Sequence, residues 1–356
     1  MKSLTDYLTN TALKEGIASV KERILNTPGL KSISDTLMHA LYNQKDQQSF
    51  WDVYNVNKIL LENELGQLID CFIAAVFDIN FYRLQSIYSS RNIPEEILAE
   101  TMTDFDIWAE KYFTENNRVG AREYGWLLAH MKGEIFKLGR LQYKVNVTLD
   151  NEFRVFKNHD KIIIVPRDGL NVNNNGLVAK DTGDFTTTTL ETDTYIEANI
   201  VDEKGSILPQ TTCFSTREYD LVLSEHDHVL DVHIPACGPI SQDDCKASME
   251  KAISFAKKYF PEIDYKAFIV DSWLLSDELI EILSPDSNIV RFSKMFTRIG
   301  GYGGDHPLIY KWIFGYEKDK AEWEHHEAIT SLQKGAHKLL ADGRWFIERK
   351  GFILIK

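Results

Sequence analysis

The sequence lacks the paired cysteines that mark disulfide-rich folds and structural zinc sites. It has four cysteines, Cys71, Cys213, Cys237 and Cys245, and none of them forms a C-x-x-C pair. Zinc ligands recur at short, fixed spacings, so a structural metal site is not expected. Isolated cysteines are typical of reducing compartments. We therefore expect a cytoplasmic protein without a metal.

A basic surface and a long apolar run are also missing. The formal net charge is −13, whereas general binders of nucleic acids and of anionic membranes need positive surfaces. The longest apolar run, from Cys71 to Phe77, is far shorter than the roughly 20 residues of a membrane span. The first eight residues lack the apolar core of a signal peptide. We expect neither a nucleic-acid nor a membrane partner.

Length and hydropathy predict two globular domains. The chain has 356 residues, 44% of them hydrophobic and 26% charged, which is enough for sizeable cores in more than one domain. Up to about Arg140, apolar residues recur at helical spacing, and a helix is predicted over residues 123–136. The pattern changes at residues 138–143. We predict a helical N-terminal domain over 1–140 and a second domain over 141–356.

The second domain divides further by its periodicity. Short β-type runs favour a β-rich part over residues 141–228, with Gly205 in the left-handed position of a hairpin loop. A strand-turn-helix-strand core follows over 229–316, in which residues 308–314 alternate like a strand. Residues 317–356 are predicted to form a helix over 320–340 and then a hairpin around Gly351.

The most informative segment lies at the start of that core. Residues 229–235 read as a strand, Cys237-Gly238-Pro239 as a turn, and Ser241 as the N-cap of an amphipathic helix, with Asp244 completing a weak capping box. Another strand is predicted over 267–275. A strand that leads through a glycine turn into a helix N-terminus is a common binding place for phosphorylated ligands, because free backbone N–H groups and the helix dipole meet there.

Several short motifs in a fixed order resemble one known family. They are Leu138-Gly139-Arg140-Leu141-Gln142, His233-Ile234-Pro235, Asp271-Ser272-Trp273-Leu274-Leu275, Asp286-Ser287-Asn288-Ile289-Val290 and Thr330-Ser331-Leu332-Gln333-Lys334. The series resembles a family of mostly uncharacterised bacterial acyltransferase-like proteins. The resemblance implies an α+β fold in which a helical N-terminal domain packs on a GNAT-like mixed α/β C-terminal domain.

The resemblance also implies an activity and a co-substrate. The activity is transfer of an acyl group from acyl-coenzyme A to an amine or hydroxyl of a small-molecule acceptor. In the GNAT fold the coenzyme lies in a wedge between two splayed parallel strands, with its pyrophosphate at the turn and helix N-terminus after the first strand. Carried over to this sequence, the cofactor-binding residues are Val232, Ile234, Cys237, Gly238, Ile240, Ser241, Ser272, Trp273 and Asn288.

The sequence departs from the usual phosphate loop of that fold. Gly238 is followed by Pro239, which has no N–H to donate, and Asp243 and Asp244 occupy the first helical turn, where they compete with a diphosphate for the positive end of the dipole. Met295 stands where a tyrosine acid is expected. A catalytically silent GNAT-like module that binds a ligand or a protein is therefore the alternative.

Asp231 and His233 are the predicted catalytic pair. Alternation along a strand puts both on one face, where a carboxylate could orient an imidazole that acts as a general base. Three alternatives stay open: a structural histidine, a metal site with His226 and His228, and a hydrolase using Cys237 or the Asp231–His233 pair.

A further expectation concerns a glycine-rich segment. Gly300-Gly301-Tyr302-Gly303-Gly304 is interpreted as a flexible loop, either a lid over a substrate or a connection.

The junction between the two domains is short and apolar, over residues 138–143. A junction of this kind favours fixed docking of the two domains, with the N-terminal helices lining the acceptor pocket.

Overall fold

The chain folds into two compact units. A computed structural model describes residues 2–43, 47–302, 307–315, 323 and 325–355. The first unit comprises Met1–Tyr143 with Ile234–Cys237 and Lys257–Phe260, and the second comprises the rest. Helices dominate the first unit and a mixed sheet the second. The predicted α+β class is confirmed.

Seven helices build most of the first unit. Their apolar faces bury side chains such as Ile17, Leu37 and Phe105, and the side chain of Asn10 caps the first helix by accepting a hydrogen bond from Leu13 N at 2.9 Å. No single helix in the described part of the chain is long and apolar enough to cross a bilayer, although Gln48–Ile79 and Tyr82–Ser90 satisfy that criterion together as a pair bent by 44°. The helices are α1 Thr11–Asn26, α2 Pro28–Asn43, α3 Gln48–Leu65, α4 Phe72–Ile79, α5 Tyr82–Ser90, α6 Glu95–Asn116 and α7 Tyr124–Met131.

The helix predicted over residues 123–136 is wrong at its C-terminal end. Helix α7 ends at Met131, and residues Ile135–Lys137 form strand β1. Gly133 has a φ of +66°, and the next amide, Glu134 N, donates to Ala129 O at 3.0 Å. A glycine in the left-handed region ends the helix, although apolar residues continue beyond it.

The second unit contains most of the largest sheet. That sheet has the strand order β1-β2-β11-β12-β14-β13, and the chain passes from the first unit to the second within β2. Smaller sheets of order β10-β3-β4, β5-β6 and β7-β8-β9 come from the β-rich part. The remaining strands are β2 Gln142–Thr148, β3 Phe153–Asn158, β4 Lys161–Pro166, β5 Asn171–Val172, β6 Phe185–Thr186, β7 Thr189–Glu191, β8 Tyr195–Val201, β9 Ile207–Ser215, β10 Asp220–Leu223, β11 His228–His233, β12 Tyr265–Ser272, β13 Thr297–Gly301 and β14 Arg349–Leu354.

The β-rich part covers one face of the large sheet. Val229, Ala267, Ile269 and Phe352 of that sheet belong to one buried apolar cluster. The cluster is completed from the β-rich part by Leu149, Phe153, Val155, Ile164, Val172, Val201, Ile207 and Leu223, and by Ile299 of β13. In the β8–β9 hairpin, Gly205 has a φ of +79°, which confirms its predicted left-handed position.

Five helices complete the described elements. They are α8 Gln242–Tyr259, α9 Asp277–Ile282, α10 Asn288–Ser293, α11 Pro307–Phe314 and α12 Ser331–Ala341. The strand predicted over residues 308–314 is wrong, because this segment is helix α11. Its apolar residues are so closely spaced that they fit both the helical and the strand periodicity, which is a known ambiguity of short apolar runs.

The C-terminal region also differs from the sequence prediction. Within the helix predicted over residues 320–340, Trp323 and His325 are helical, residues 327–329 have no regular structure, and a capping box of Thr330 and Gln333 starts helix α12 at Ser331. Residues 316–322 and 324 lie outside the described residues. The hairpin predicted around Gly351 is wrong. Its residues form the single strand β14, which pairs antiparallel with β12 on one side and β13 on the other.

Candidate active site

Strands β11 and β12 pair in parallel and then part. Their register runs from His228↔Tyr265 to Asp231↔Ile269, yet β11 continues to His233 and β12 to Ser272. The last residues of the two strands therefore have no ladder to each other. We call this unpaired stretch the divergence of β11 and β12, and it lies where the family resemblance implies a coenzyme wedge.

Asp231 and His233 meet beside this divergence. His233 Nε2 lies 2.9 Å from Asp231 Oδ2, and the two side chains retain 34% and 24% of their exposure. A carboxylate that binds one ring nitrogen fixes the tautomer and leaves the other nitrogen as the basic one. The predicted arrangement of this pair on one face is present, whereas a catalytic role stays a prediction.

The turn after β11 leads into a capped helix. Gly238 has a φ of +115°, and an added Cβ there would meet nothing within 4 Å. Ser241 Oγ accepts a hydrogen bond from Asp244 N at 3.1 Å and donates to Asp244 Oδ2 at 2.5 Å. The predicted cap is confirmed. It also commits the Ser241 hydroxyl to the helix and leaves Asp243 and Asp244 in the first turn.

Arg140 and Cys237 come together within the first unit. Arg140 Nη1 donates to Pro235 O at 3.1 Å and lies 3.6 Å from Cys237 Sγ. Cys237 is exposed and free. Ile234 and Cys237 thus group with the first unit, whereas the other predicted site residues group with the second.

The three predicted cofactor residues beyond β12 have different environments. Ser272 is buried, and its hydroxyl accepts from Leu274 N at 3.1 Å, so it caps the short 3-10 turn Trp273–Leu275. The Trp273 ring lies 5.6 Å from that of Phe346. Asn288 is an exposed first residue of α10, which contacts the same turn. Ser272 and Trp273 therefore lie at the end of β12, and Asn288 begins a helix that contacts the turn after it.

Sequence reasoning missed a group of ionisable side chains on the same face as the Asp231–His233 pair. Lys350 Nζ lies 2.5 Å from Asp150 Oδ2 and 3.4 Å from Glu152 Oε2, and Tyr302 OH donates to Glu152 Oε2 at 2.6 Å. Asp271 pairs through its backbone with Lys350. Asp271 is part of a motif quoted above, but only the strand register shows that it faces the other charged groups.

The loop predicted over residues 300–304 is only partly described. Gly300 and Gly301 belong to strand β13, which contradicts their assignment to a flexible loop, and Gly303 and Gly304 lie outside the described residues. Within the described ranges, no group of three or more His, Cys, Asp or Glu side chains has an arrangement that could hold a metal ion.

Similar folds occur among solved acyltransferases. One is an acyltransferase in complex with decanoyl-CoA, at 21% identity and a TM-score of 0.56, covering 82% of this chain and 68% of that chain. The others include an acyltransferase in complex with decanoyl-CoA and teicoplanin and an acyltransferase mutant in complex with octanoyl-CoA, each at 18% identity, a TM-score of 0.55 and the same coverage. Such low identities establish a common fold alone. No curated protein matches the sequence.

Two family descriptions match nearly the whole chain. The N-acyltransferase N-terminal domain matches residues 2–133, and the GNAT-like C-terminal domain matches residues 135–353. The second match alone spans more than half of the 356 residues. The expected pairing of a helical N-terminal domain with a GNAT-like domain is confirmed, and the chain belongs to the family defined by this GNAT-like C-terminal domain.

Proposed function

We propose that this protein transfers an acyl group from acyl-coenzyme A to an amine or hydroxyl of a small molecule. The observation that carries the proposal is the divergence of β11 and β12 after the Asp231↔Ile269 pair. A pantetheine arm can pair with the released edge of β11, at Val232, as a peptide strand would. Solved proteins of similar fold hold decanoyl-CoA and octanoyl-CoA, which supports the same class of co-substrate.

The turn after β11 suits the diphosphate in part. Gly238 leaves the backbone uncovered by a side chain, which allows close approach of a ligand. The N-terminus of the 18-residue helix α8 supplies a positive dipole end. Ile240, two residues after Gly238, is buried. A cytoplasmic location, which the four free cysteines favour, belongs to the same proposal.

Acyl transfer requires that protons move from the acceptor to the leaving thiolate, and residues of this chain can perform these proton transfers. The Asp231–His233 pair can take a proton from the attacking nitrogen or oxygen as it bonds to the thioester carbonyl carbon. As the carbon–sulfur bond breaks, the imidazolium can return that proton to the departing thiolate. The protein's other contribution to the rate is to hold the two substrates in a reactive orientation.

Ligand-dependent stability tests the proposal directly. Acetyl-, octanoyl- and decanoyl-CoA should each be titrated into the full chain, and the melting temperature followed by calorimetry. A ligand that binds only the folded protein at 100 times its Kd stabilises it by about 2.7 kcal/mol. We expect a concentration-dependent rise for at least one of them, whereas ATP at the same concentrations serves as the phosphate control. No rise with any acyl-CoA, or an equal rise with ATP, would refute acyl-CoA recognition.

One set of observations favours a silent binding module as the second candidate. Pro239 removes a donor from the phosphate turn, and Asp243 and Asp244 occupy the first turn of α8. Release of the coenzyme A thiol separates the candidates, because a binding module would be stabilised by acyl-CoA without releasing thiol in the presence of any acceptor.

A further inference from the structure

Strand β9 pairs with another strand on one side only. Its register with β8 continues to Tyr195↔Ser215, and in the order β7-β8-β9 no strand of the described residues pairs with its other side. Within the described part of the chain, a loop bonds to that side at the first residue alone, where Ile207 N donates to Gly176 O at 2.8 Å. The edge of β9 is therefore open over residues 208–215.

This edge lacks the features that keep sheet edges from pairing with other molecules. Edge strands in soluble proteins are usually short or carry charged side chains. The other edge strands of the described sheets have two to six residues, whereas β9 has nine, and none of the nine is charged. Gln210, Thr211 and Cys213 are exposed along it. The edge is therefore accessible to another strand.

Alternation along β9 determines which backbone groups point to the open side. Thr216 N donates to Thr194 O at 3.1 Å, and this pair continues the β8–β9 register. The even-numbered residues of β9 therefore direct their backbone groups towards β8, and the odd-numbered residues direct theirs outward. The outward N–H groups belong to Thr211, Cys213 and Ser215. Pro209 also faces outward, which is where a strand tolerates a residue without an N–H.

The charge of the chain favours a second copy as the partner of this edge. With a net charge of −13, two copies repel each other over most of their surfaces. Across an uncharged strand, no like charges face each other when two backbones approach. A two-fold contact also needs only one self-complementary surface, and the edge of an antiparallel sheet provides one.

We propose that β9 pairs antiparallel with β9 of a second copy of this chain, so that the two β7-β8-β9 sheets join into one sheet of six strands. The two-fold axis passes at Cys213. In this register Thr211 lies opposite Ser215 of the second copy, Cys213 lies opposite its own counterpart, and every outward N–H group is used. Registers centred nearer the start of β9 place Pro209, which has no N–H, opposite the second copy, and those centred nearer its end use fewer of the N–H groups.

Oxidative cross-linking tests the register. Directly opposed residues of a hydrogen-bonded antiparallel pair have Cα atoms about 5.5 Å apart, which lies within the range that a disulfide spans. Copper phenanthroline should therefore link two full-length chains through Cys213. Cys237 is the other exposed cysteine, so Cys237→Ser should still give the linked dimer on a non-reducing gel, whereas Cys213→Ser should not.

Light scattering under reducing conditions tests the dimer without a covalent link. We expect the wild-type chain and Cys213→Ser to show twice the mass of one chain as concentration rises. Cys213→Lys places two like charges opposite each other and should remain a monomer. Leu190→Lys is the matched control, because Leu190 is 52% exposed on the edge strand β7, and it should stay dimeric.

Circular dichroism of each variant separates loss of the dimer from loss of the fold. If Cys213→Lys loses its β-sheet spectrum, Thr211→Lys introduces the same charge at another exposed position of the edge, and it should likewise be a folded monomer. A wild-type chain that is monomeric at every soluble concentration would overturn the proposal. So would a dimer that survives both lysine variants of β9, a dimer lost in Leu190→Lys, or a disulfide-linked dimer that forms in Cys213→Ser.

Discussion

At the scale of single residues, the orientation of His233 depends on one contact. Its Nε2 lies 2.9 Å from Asp231 Oδ2, and no other residue of β11 offers a carboxylate on that face. If His233 is a general base, His233→Ala should lower turnover by roughly 10²–10⁴-fold while the chain stays folded. Steady-state thiol release with octanoyl-CoA and an amine measures this change.

His39 provides the matched control for that substitution. It is exposed on α2, so His39→Ala removes an imidazole from a surface helix without touching the proposed site. We expect wild-type turnover from this variant. An undiminished rate in His233→Ala with every accepted amine would exclude the imidazole from the mechanism and leave it a structural role.

Strand alternation was sufficient to predict the Asp231–His233 pair, because both residues belong to one strand. It could not predict Asp271 as a member of the same face, since that depends on the register between β11, β12 and β14. Ser272 shows a different limit. Its hydroxyl looked available in the sequence, whereas the folded chain uses it to cap the turn that follows.

At the scale of elements, β13 depends on the absence of a side chain at Gly300. A Cβ there would lie 2.3 Å from Phe153 Cζ, and Phe153 is buried in the cluster under the large sheet. Overpacking of this kind typically costs about 1–3 kcal/mol. We expect Gly300→Ala to lower the urea midpoint of unfolding accordingly.

Gly29 is the matched control for the added methyl group. It lies in helix α2, and an added Cβ would meet nothing within 4 Å. Alanine favours the helix over glycine, so Gly29→Ala should keep or raise the urea midpoint. Equal midpoints for the two variants would show that Phe153 moves aside without cost.

Elements with a clear period or cap were predictable, and those defined by long-range pairing were not. Helix α8 follows from its apolar stripe and its Ser241 cap. The residues of helix α11 were assigned to a strand because a short apolar run fits both the helical and the strand periodicity. Strand β14 was placed in a hairpin because no local signal reveals that it pairs with residues about 80 positions away, such as Ile269↔Phe352.

At the scale of the whole molecule, the raised pKa of Asp271 links the site to the stability of the fold. Folding raises its pKa from an ordinary 3.8 to about 6, so the folded chain binds this proton more tightly than the unfolded chain does. The contribution of Asp271 to stability is therefore fully present below about pH 4 and is lost as the pH rises through 6. Asp271→Asn should gain melting temperature relative to wild type across that interval.

Paired thermal scans at pH 4 and pH 7.5 measure this difference. Asp160 is exposed in the turn between β3 and β4, so Asp160→Asn serves as the control. A constant offset between wild type and Asp271→Asn at both pH values would show that the carboxyl titrates alike in the folded and unfolded chains.

The position of β14 has a consequence for the order in which the sheet can form during synthesis. β12 and β13 leave the ribosome well before β14, yet β14 lies between them and pairs antiparallel with both. During that interval β12 and β13 expose strand edges that could join directly as a parallel pair. Antiparallel pairing is slightly more stable per residue, and each edge has its antiparallel partner in the late strand. The sheet is therefore complete beside Asp271 only once residues 349–354 have been synthesised.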